Sequence, residues 1–95
     1  MSASTRSSDG LDDRRKRLLF RCWHRGTKEM DYILGRFADA HVADLSEDEV
    51  SDFERLIELP DPDLYDAFND KASLDAEYAD GIFRRIKAFT DGRPA

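Results

Sequence analysis

Few side chains in this 95-residue sequence are able to do covalent or metal chemistry: it holds one cysteine and two histidines. Cys22, His24 and His41 would give three of the four closely spaced ligands that a structural zinc site wants, and Cys22 falls on an apolar stripe where a buried thiol is ordinary. No metal is expected. His24 reads instead as a helix C-terminal residue, favoured there by the helix dipole. Asp61 and Asp63 have the right type for acid–base work, but they stand in the first turn of an expected helix, where carboxylates are stabilised for structural reasons alone. No Gly-x-Gly-x-x-Gly, P-loop, Gly-x-Ser-x-Gly or His-Glu-x-x-His pattern occurs. No catalytic and no cofactor-binding residue is assigned.

One stretch is less ordinary: Arg25-Gly26-Thr27-Lys28-Glu29-Met30-Asp31-Tyr32-Ile33-Leu34-Gly35-Arg36-Phe37. It places opposite charges around one glycine and a second glycine inside a strong helical pattern. Arg25 and Glu29 form, on the plainest reading, an exposed ion pair worth ~0–1 kcal/mol, and Gly26 is then only the residue that ends a helix. Gly35 is harder to dismiss. A glycine inside a helix costs ~1 kcal/mol against alanine and normally offsets it by letting another backbone approach, within the chain or from outside it.

The elements that hold these residues are helical throughout. Leu18, Leu19, Cys22 and Trp23 recur at helical spacing over residues 12–23, with the arginines on the opposite side, so a first helix with a basic outer face is predicted. Gly26 interrupts it. Met30, Ile33, Leu34 and Phe37 then form one stripe of a second helix over 27–42. Ser46 and Glu49 have the spacing of a capping box, Leu45 and Val50 that of a hydrophobic staple, and Val50, Phe53, Leu56 and Ile57 form the apolar face of the third helix. Pro60 ends it; Asp61 as N-cap and Pro62 at the first helical position start a fourth, with Leu64, Tyr65 and Phe68 inward. A loop over 69–73 follows, and a last helix over 75–90 buries Tyr78, Ile82, Phe83, Ile86 and Phe89 before Gly92 and Pro94. No segment alternates with period two. The expected fold is all-α, a compact five-helix antiparallel bundle without a sheet, as one helical domain over residues 11–92. Residues 1–10, small and polar, are expected to be a disordered N-terminal tail, and 93–95 a C-terminal tail.

Composition limits the function classes. Leu, Ile, Val and Phe total 21 of 95 residues, enough for one small core and too few for a multi-domain enzyme. No apolar run approaches the ~20 residues of a membrane span, and no secretory signal precedes the first helix. One cysteine forms no internal disulfide, so a reducing compartment is expected. The net charge of −6 disfavours a sequence-independent nucleic-acid binder. Charge is also segregated: residues 14–36 carry eight basic and two acidic side chains, residues 37–80 fifteen acidic and two basic ones. Such polarity orients an encounter with a partner. The run Arg14, Arg15, Lys16 and Arg17 is a weak nucleic-acid signal, since it lacks aromatics for stacking on bases.

The stretch around Gly26 resembles the Arg-Gly-x-x-Glu-(Met/Leu)-Asp motif of the succinate dehydrogenase assembly factors, the small flavinator proteins called SdhE in bacteria. It matches at Arg25, Gly26, Glu29, Met30 and Asp31, continued by Leu34, Gly35 and Phe37. Later landmarks of the family recur in order: Leu45, Ser46 and Glu49, then Asp61-Pro62-Asp63-Leu64. The resemblance covers residues 14–89. Family members commonly carry tryptophan where this chain has Ala67, so packing or client contact around the fourth helix is expected to differ.

The resemblance implies a non-enzymatic, five-helix assembly factor that binds the flavoprotein subunit of succinate dehydrogenase, and in some bacteria of fumarate reductase, and promotes covalent attachment of FAD to a client histidine. Attachment is then largely self-catalysed by the client, and FAD belongs to the client, with no cofactor of the factor's own. Arg25, Gly26 and Glu29, with Lys28 and Asp31 as weaker candidates, are the expected client-binding residues. Arg25 and Glu29 would be polar anchors and Gly26 the clearance residue. Met30 and Phe37 are assigned mainly to the core. A monomer in the bacterial cytoplasm, with no membrane insertion and no nucleic-acid partner, is expected. The composition by itself also suits a small acidic helical adaptor for an unrelated protein.

Overall fold

The computed structural model describes residues 10–92, so the expected tails at 1–10 and 93–95 lie outside the described residues, Gly10 excepted. These residues contain six α-helices and no strand, as the missing period-two pattern predicts. Five of the helices have eight residues or more. Contacts group the chain into two units, meeting between Ser46 and Glu47.

The first unit is a helical hairpin. Helix α1 (Asp13–Trp23) starts at Asp12, whose carboxylate accepts from the Arg15 backbone N–H at 2.8 Å. That bond, helped by the Arg15 guanidinium, holds the Asp12 carboxyl below the ordinary aspartate range. Helix α2 (Lys28–His41) starts at Thr27 and runs into a 3-10 turn, Val42–Asp44. Leu18, Leu19 and Cys22 from α1 and Met30, Leu34, Phe37 and Ala38 from α2 are buried, close to the predicted stripes. Trp23 and Ile33, expected inside, are half-buried.

The basic outer face of α1 is corrected at Arg15. Its side chain is only 13% exposed, with Nε donating to the Val42 carbonyl at 3.0 Å and Nη2 to the Leu45 carbonyl at 2.5 Å. The physical reason lies at the end of α2, whose last carbonyls have no intrahelical partner and attract a cation with several donors. With the start of α1 tied to the end of α2, the two helices are antiparallel.

In the second unit, α3 (Glu47–Leu56) begins one residue after Ser46, and Val50, Phe53, Leu56 and Ile57 are buried as predicted. Helix α4 (Asp61–Phe68) begins one residue earlier than expected. Pro60, in extended conformation, is the cap residue, and its carbonyl accepts from the Leu64 N–H at 3.1 Å, so Asp61 is already helical. Tyr65 does not point inward but is 40% exposed; Ala67 takes its place beside Leu64 and Phe68, the i, i+3, i+4 set.

The expected last helix is two helices, α5 (Ala76–Ala79) and α6 (Ile82–Thr90), which brings the total to six. Asp80 is extended at ψ 174° and Gly81 has φ +70°, a conformation in which glycine has no steric penalty and other residues do. Ile82, Phe83 and Ile86 are buried, while Tyr78 and Phe89 are half-buried. Phe68 and Phe83 stack with ring centroids 4.8 Å apart, and Arg85 on α6 pairs with Glu49 on α3 at 2.5 Å. Arg55 reaches Glu77 at 3.2 Å and lies 5.4 Å from the Tyr78 ring centroid.

Candidate functional site: the loop between the first two helices

Four residues, His24 to Thr27, connect α1 to α2. His24 caps α1; its backbone N–H donates to the Arg21 carbonyl, its ring stacks on Phe20 with centroids 3.8 Å apart, and Nδ1 lies 2.7 Å from the Phe20 carbonyl oxygen. The expected place at a helix C-terminus is therefore occupied. Gly26 follows two residues later, with φ +106°. It is thus not the first residue after the cap but the second, where the chain must reverse direction within the four-residue link.

The loop is held from the α2 side by two polar contacts. Thr27 Oγ1 accepts from the Met30 N–H at 3.3 Å, and Asp31 Oδ1 accepts from the Arg25 N–H at 2.5 Å. Asp31 is half-buried and Arg25 is half-buried, whereas Gly26, Lys28 and Glu29 are exposed. A Cβ built on Gly26 would meet nothing within 4 Å, so the space beside this residue is open on the protein's own side. All five sequence-derived candidates thus fall within one loop and the first turn that follows. Asp31 has a structural task there, closing the loop onto the helix, and Glu29 stands where a carboxylate also favours the helix N-terminus.

The second glycine of the motif meets a side chain and not the expected backbone. A Cβ on Gly35 would lie 2.3 Å from Cδ2 and 2.4 Å from Cε2 of Trp23. The indole lies flat against the α2 backbone, and its Nε1–H donates to Asp39 Oδ1 at 3.1 Å. Only a residue without a side chain leaves room for it. Trp23, Gly35 and Asp39 together fix how α1 meets α2, and with it where the loop sits. In the sequence Trp23 reads only as a stripe residue; a tryptophan on one helix and a helix-interior glycine on the next is the available signal.

Nothing in this arrangement supplies a reactive group. Cys22 is fully buried, and burial pushes its thiol far above the ordinary range, so it stays protonated. Among the described residues, no three of His, Cys, Asp and Glu are grouped to hold a metal ion. A depression of about 230 Å³ in the second unit, between Leu59, Leu74 and Tyr78, is also lined by Asp63, Asp75, Ala72 and Ser73. No helix among the described residues is long and apolar enough to cross a membrane. What the loop offers is a fixed backbone with flanking charges, the equipment of a binding surface.

A helical protein with an exposed loop, braced through its backbone and flanked by charges, has the make-up of a protein that binds another protein. The chain matches a family model, the flavinator of succinate dehydrogenase, over residues 16–90, and it belongs to that family. It is 40% identical over 85 residues to the FAD assembly factor SdhE of Acetobacter pasteurianus, covering 90% of this chain and 78% of that protein. It is 32% identical over 90 residues to the mitochondrial succinate dehydrogenase assembly factor 2 of Danio rerio and 30% identical over 77 residues to that of Dictyostelium discoideum. The chain spans 57% and 55% of the length of those two mitochondrial relatives.

Proposed function

We propose that this protein is an assembly factor that binds the flavoprotein subunit of succinate dehydrogenase and promotes covalent attachment of FAD to it. Family membership carries the reading, and the loop supports it with an exposed, backbone-braced Gly26 between the charged groups of Arg25, Lys28 and Glu29. The factor acts as a helper and not as an enzyme. The new flavin–histidine bond forms in the client by the client's own chemistry, and the factor holds the client's domains in the geometry that favours it. A preorganised docking loop suits this task, because ordering costs that are met before binding do not weaken it. Arg25 and Glu29 supply anchors of opposite sign that fix register, and Gly26 supplies clearance for the client's backbone. FAD remains a group of the client. The factor works as a cytoplasmic monomer, and the flavoprotein of fumarate reductase is a second client.

The test is co-expression with a succinate dehydrogenase flavoprotein subunit, followed by in-gel flavin fluorescence after denaturation. Covalent flavin rises only when the factor is present. Gly26→Ala and Gly26→Leu share the backbone cost of φ +106°, about 1–3 kcal/mol for a non-glycine residue. The difference between them therefore reads clearance: Leu abolishes flavinylation with helix content intact, and Ala retains more of it. Equal covalent flavin with Gly26→Leu and the unsubstituted factor would refute the role of the loop.

A further inference from the structure

Three large hydrophobic residues among the described ones stand exposed, and two of them, Phe20 at 62% and Tyr32 at 58%, lie in the first unit within about a turn of the loop. Leaving aromatic area in water forgoes the stabilisation of burying it, so two such residues that flank one loop point to a surface that is covered by something else. Their positions make them neighbours of one seam. On α1 and its cap, Phe20, Trp23 and His24 are spaced i, i+3, i+4; on α2, Tyr32, Gly35, Arg36 and Asp39 are spaced i, i+3, i+4, i+7, so each set shares a helix face. Trp23 lies on Gly35 and bonds to Asp39, which sets the two faces side by side. The Gly26 loop closes one end of the seam.

Both exposed rings are held in place. Phe20 is stacked on His24, and Tyr32 carries the Arg36 guanidinium 4.8 Å above its ring, with Nη1 of Arg36 donating to the Tyr32 hydroxyl at 3.1 Å. A fixed aromatic with an arginine beside it is the composition enriched at the energetic centres of protein interfaces, because little side-chain freedom is lost on docking.

We infer that the outer seam of the α1–α2 hairpin, with Phe20 and Tyr32 as its apolar anchors, is the continuation of the loop's contact and binds the same flavoprotein subunit through an apolar patch on that subunit. The inference rests on the assembly-factor reading and extends the contact from the charged loop to an aromatic surface. Continuity with the loop selects this occupant over a second copy of the chain. The seam supplies affinity, and Arg25, Gly26 and Glu29 supply register.

The test measures affinity of the full chain for the purified flavoprotein subunit by titration calorimetry, for the unsubstituted protein, Phe20→Ser, Tyr32→Ser, the double variant and Gly26→Leu. Tyr65→Ser on α4 is the comparison, an exposed aromatic outside the seam. The double variant is expected to lose at least about tenfold in affinity, within the range a pair of interface anchors carries. Circular dichroism is expected to stay unchanged because both side chains are exposed, and Tyr65→Ser keeps the starting affinity. If Gly26→Leu fails to bind while the double variant binds normally, the seam is refuted and the loop reading stands. If the unsubstituted protein does not bind the subunit, the assembly-factor reading itself fails. Should sedimentation show a dimer that the double variant dissolves, with subunit affinity unaltered, the seam is a self-association surface and the inference is overturned. An equal loss with Tyr65→Ser would likewise sink it, by showing that any lost surface aromatic weakens binding.

Discussion

Gly35 shows how much one missing side chain sets in this protein. As a helix-interior glycine it sacrifices ~1 kcal/mol of intrinsic helix propensity relative to alanine. Alanine there nevertheless places its Cβ 2.3–2.7 Å from three indole carbons of Trp23, and the ring cannot retreat without giving up its bond to Asp39. Overpacking of this kind costs ~1–3 kcal/mol, and losing a hydrogen bond adds ~0.5–1.5 kcal/mol, so strain outweighs propensity. Gly35→Ala is expected to be destabilised by ~1–3 kcal/mol in urea denaturation, and Trp23→Leu in the same chain to recover part of the loss by vacating the space. An alanine variant as stable as the parent would mean that the indole does not rest on this backbone. The sequence announced that position 35 was unusual but not what approached it, because spacing along one helix carries no record of the side chain that another helix lays across it. Arg15 is the same case. Its place on the polar side of α1 was legible, while its turn toward the Val42 and Leu45 carbonyls depends on where α2 ends.

Elements whose apolar residues follow one helical stripe were legible nearly to the residue. Helix α2 is expected over 27–42 and runs Lys28–His41 with Thr27 as cap, and α3 starts directly after the serine that was expected to cap it. The candidate loop was legible for the same reason, since Gly26 interrupts two strong periodic patterns. Residues 75–90 do not obey this rule. Tyr78, Ile82 and Ile86 keep an i, i+4 rhythm across the break, with Phe83 three residues before Ile86, so periodicity alone runs one helix straight through Asp80 and Gly81. What breaks it is backbone conformation: Gly81 takes φ +70° and ψ −122°, outside the left-handed helical basin and open in practice to glycine alone. A Cβ there would also come within 2.8 Å of Asp52 Oδ2, but that carboxylate ends a side chain and can swing away. Backbone strain is therefore the larger cost. Gly81→Ala is expected to destabilise the protein by ~1–3 kcal/mol, and Gly81→Ala combined with Asp52→Ala to remain destabilised. Full recovery in the double variant, measured by the thermal midpoint, would assign the effect to the carboxylate instead.

At the scale of the whole molecule, charge sets the terms. The chain carries −6 overall, and residues 47–92 alone hold fourteen carboxylates against five Lys and Arg. A folded protein brings such charges closer than the unfolded chain does, so their repulsion works against compactness. Some are paired: Glu49 with Arg85, Glu77 and Asp52 with Arg55, Asp70 and Asp91 with Lys87. Of these cations, Arg55 is about half exposed and Arg85 a third, and exposed pairs contribute ~0–1 kcal/mol each. Salt screens attraction and repulsion together, with a Debye length falling from ~10 Å at 0.1 M to ~3 Å at 1 M. The pairs, at 2.5–3.5 Å, lie within that length throughout, while repulsion among the excess carboxylates acts over longer distances and is removed first. Raising sodium chloride from 0.05 to 0.5 M is therefore expected to raise the urea midpoint. Replacing Asp63 and Asp66 with asparagine should flatten this response, because it removes two of the charges that salt would otherwise screen. A midpoint that falls with salt would mean that attraction within the ion pairs, and not repulsion among the excess carboxylates, dominates the electrostatics of folding.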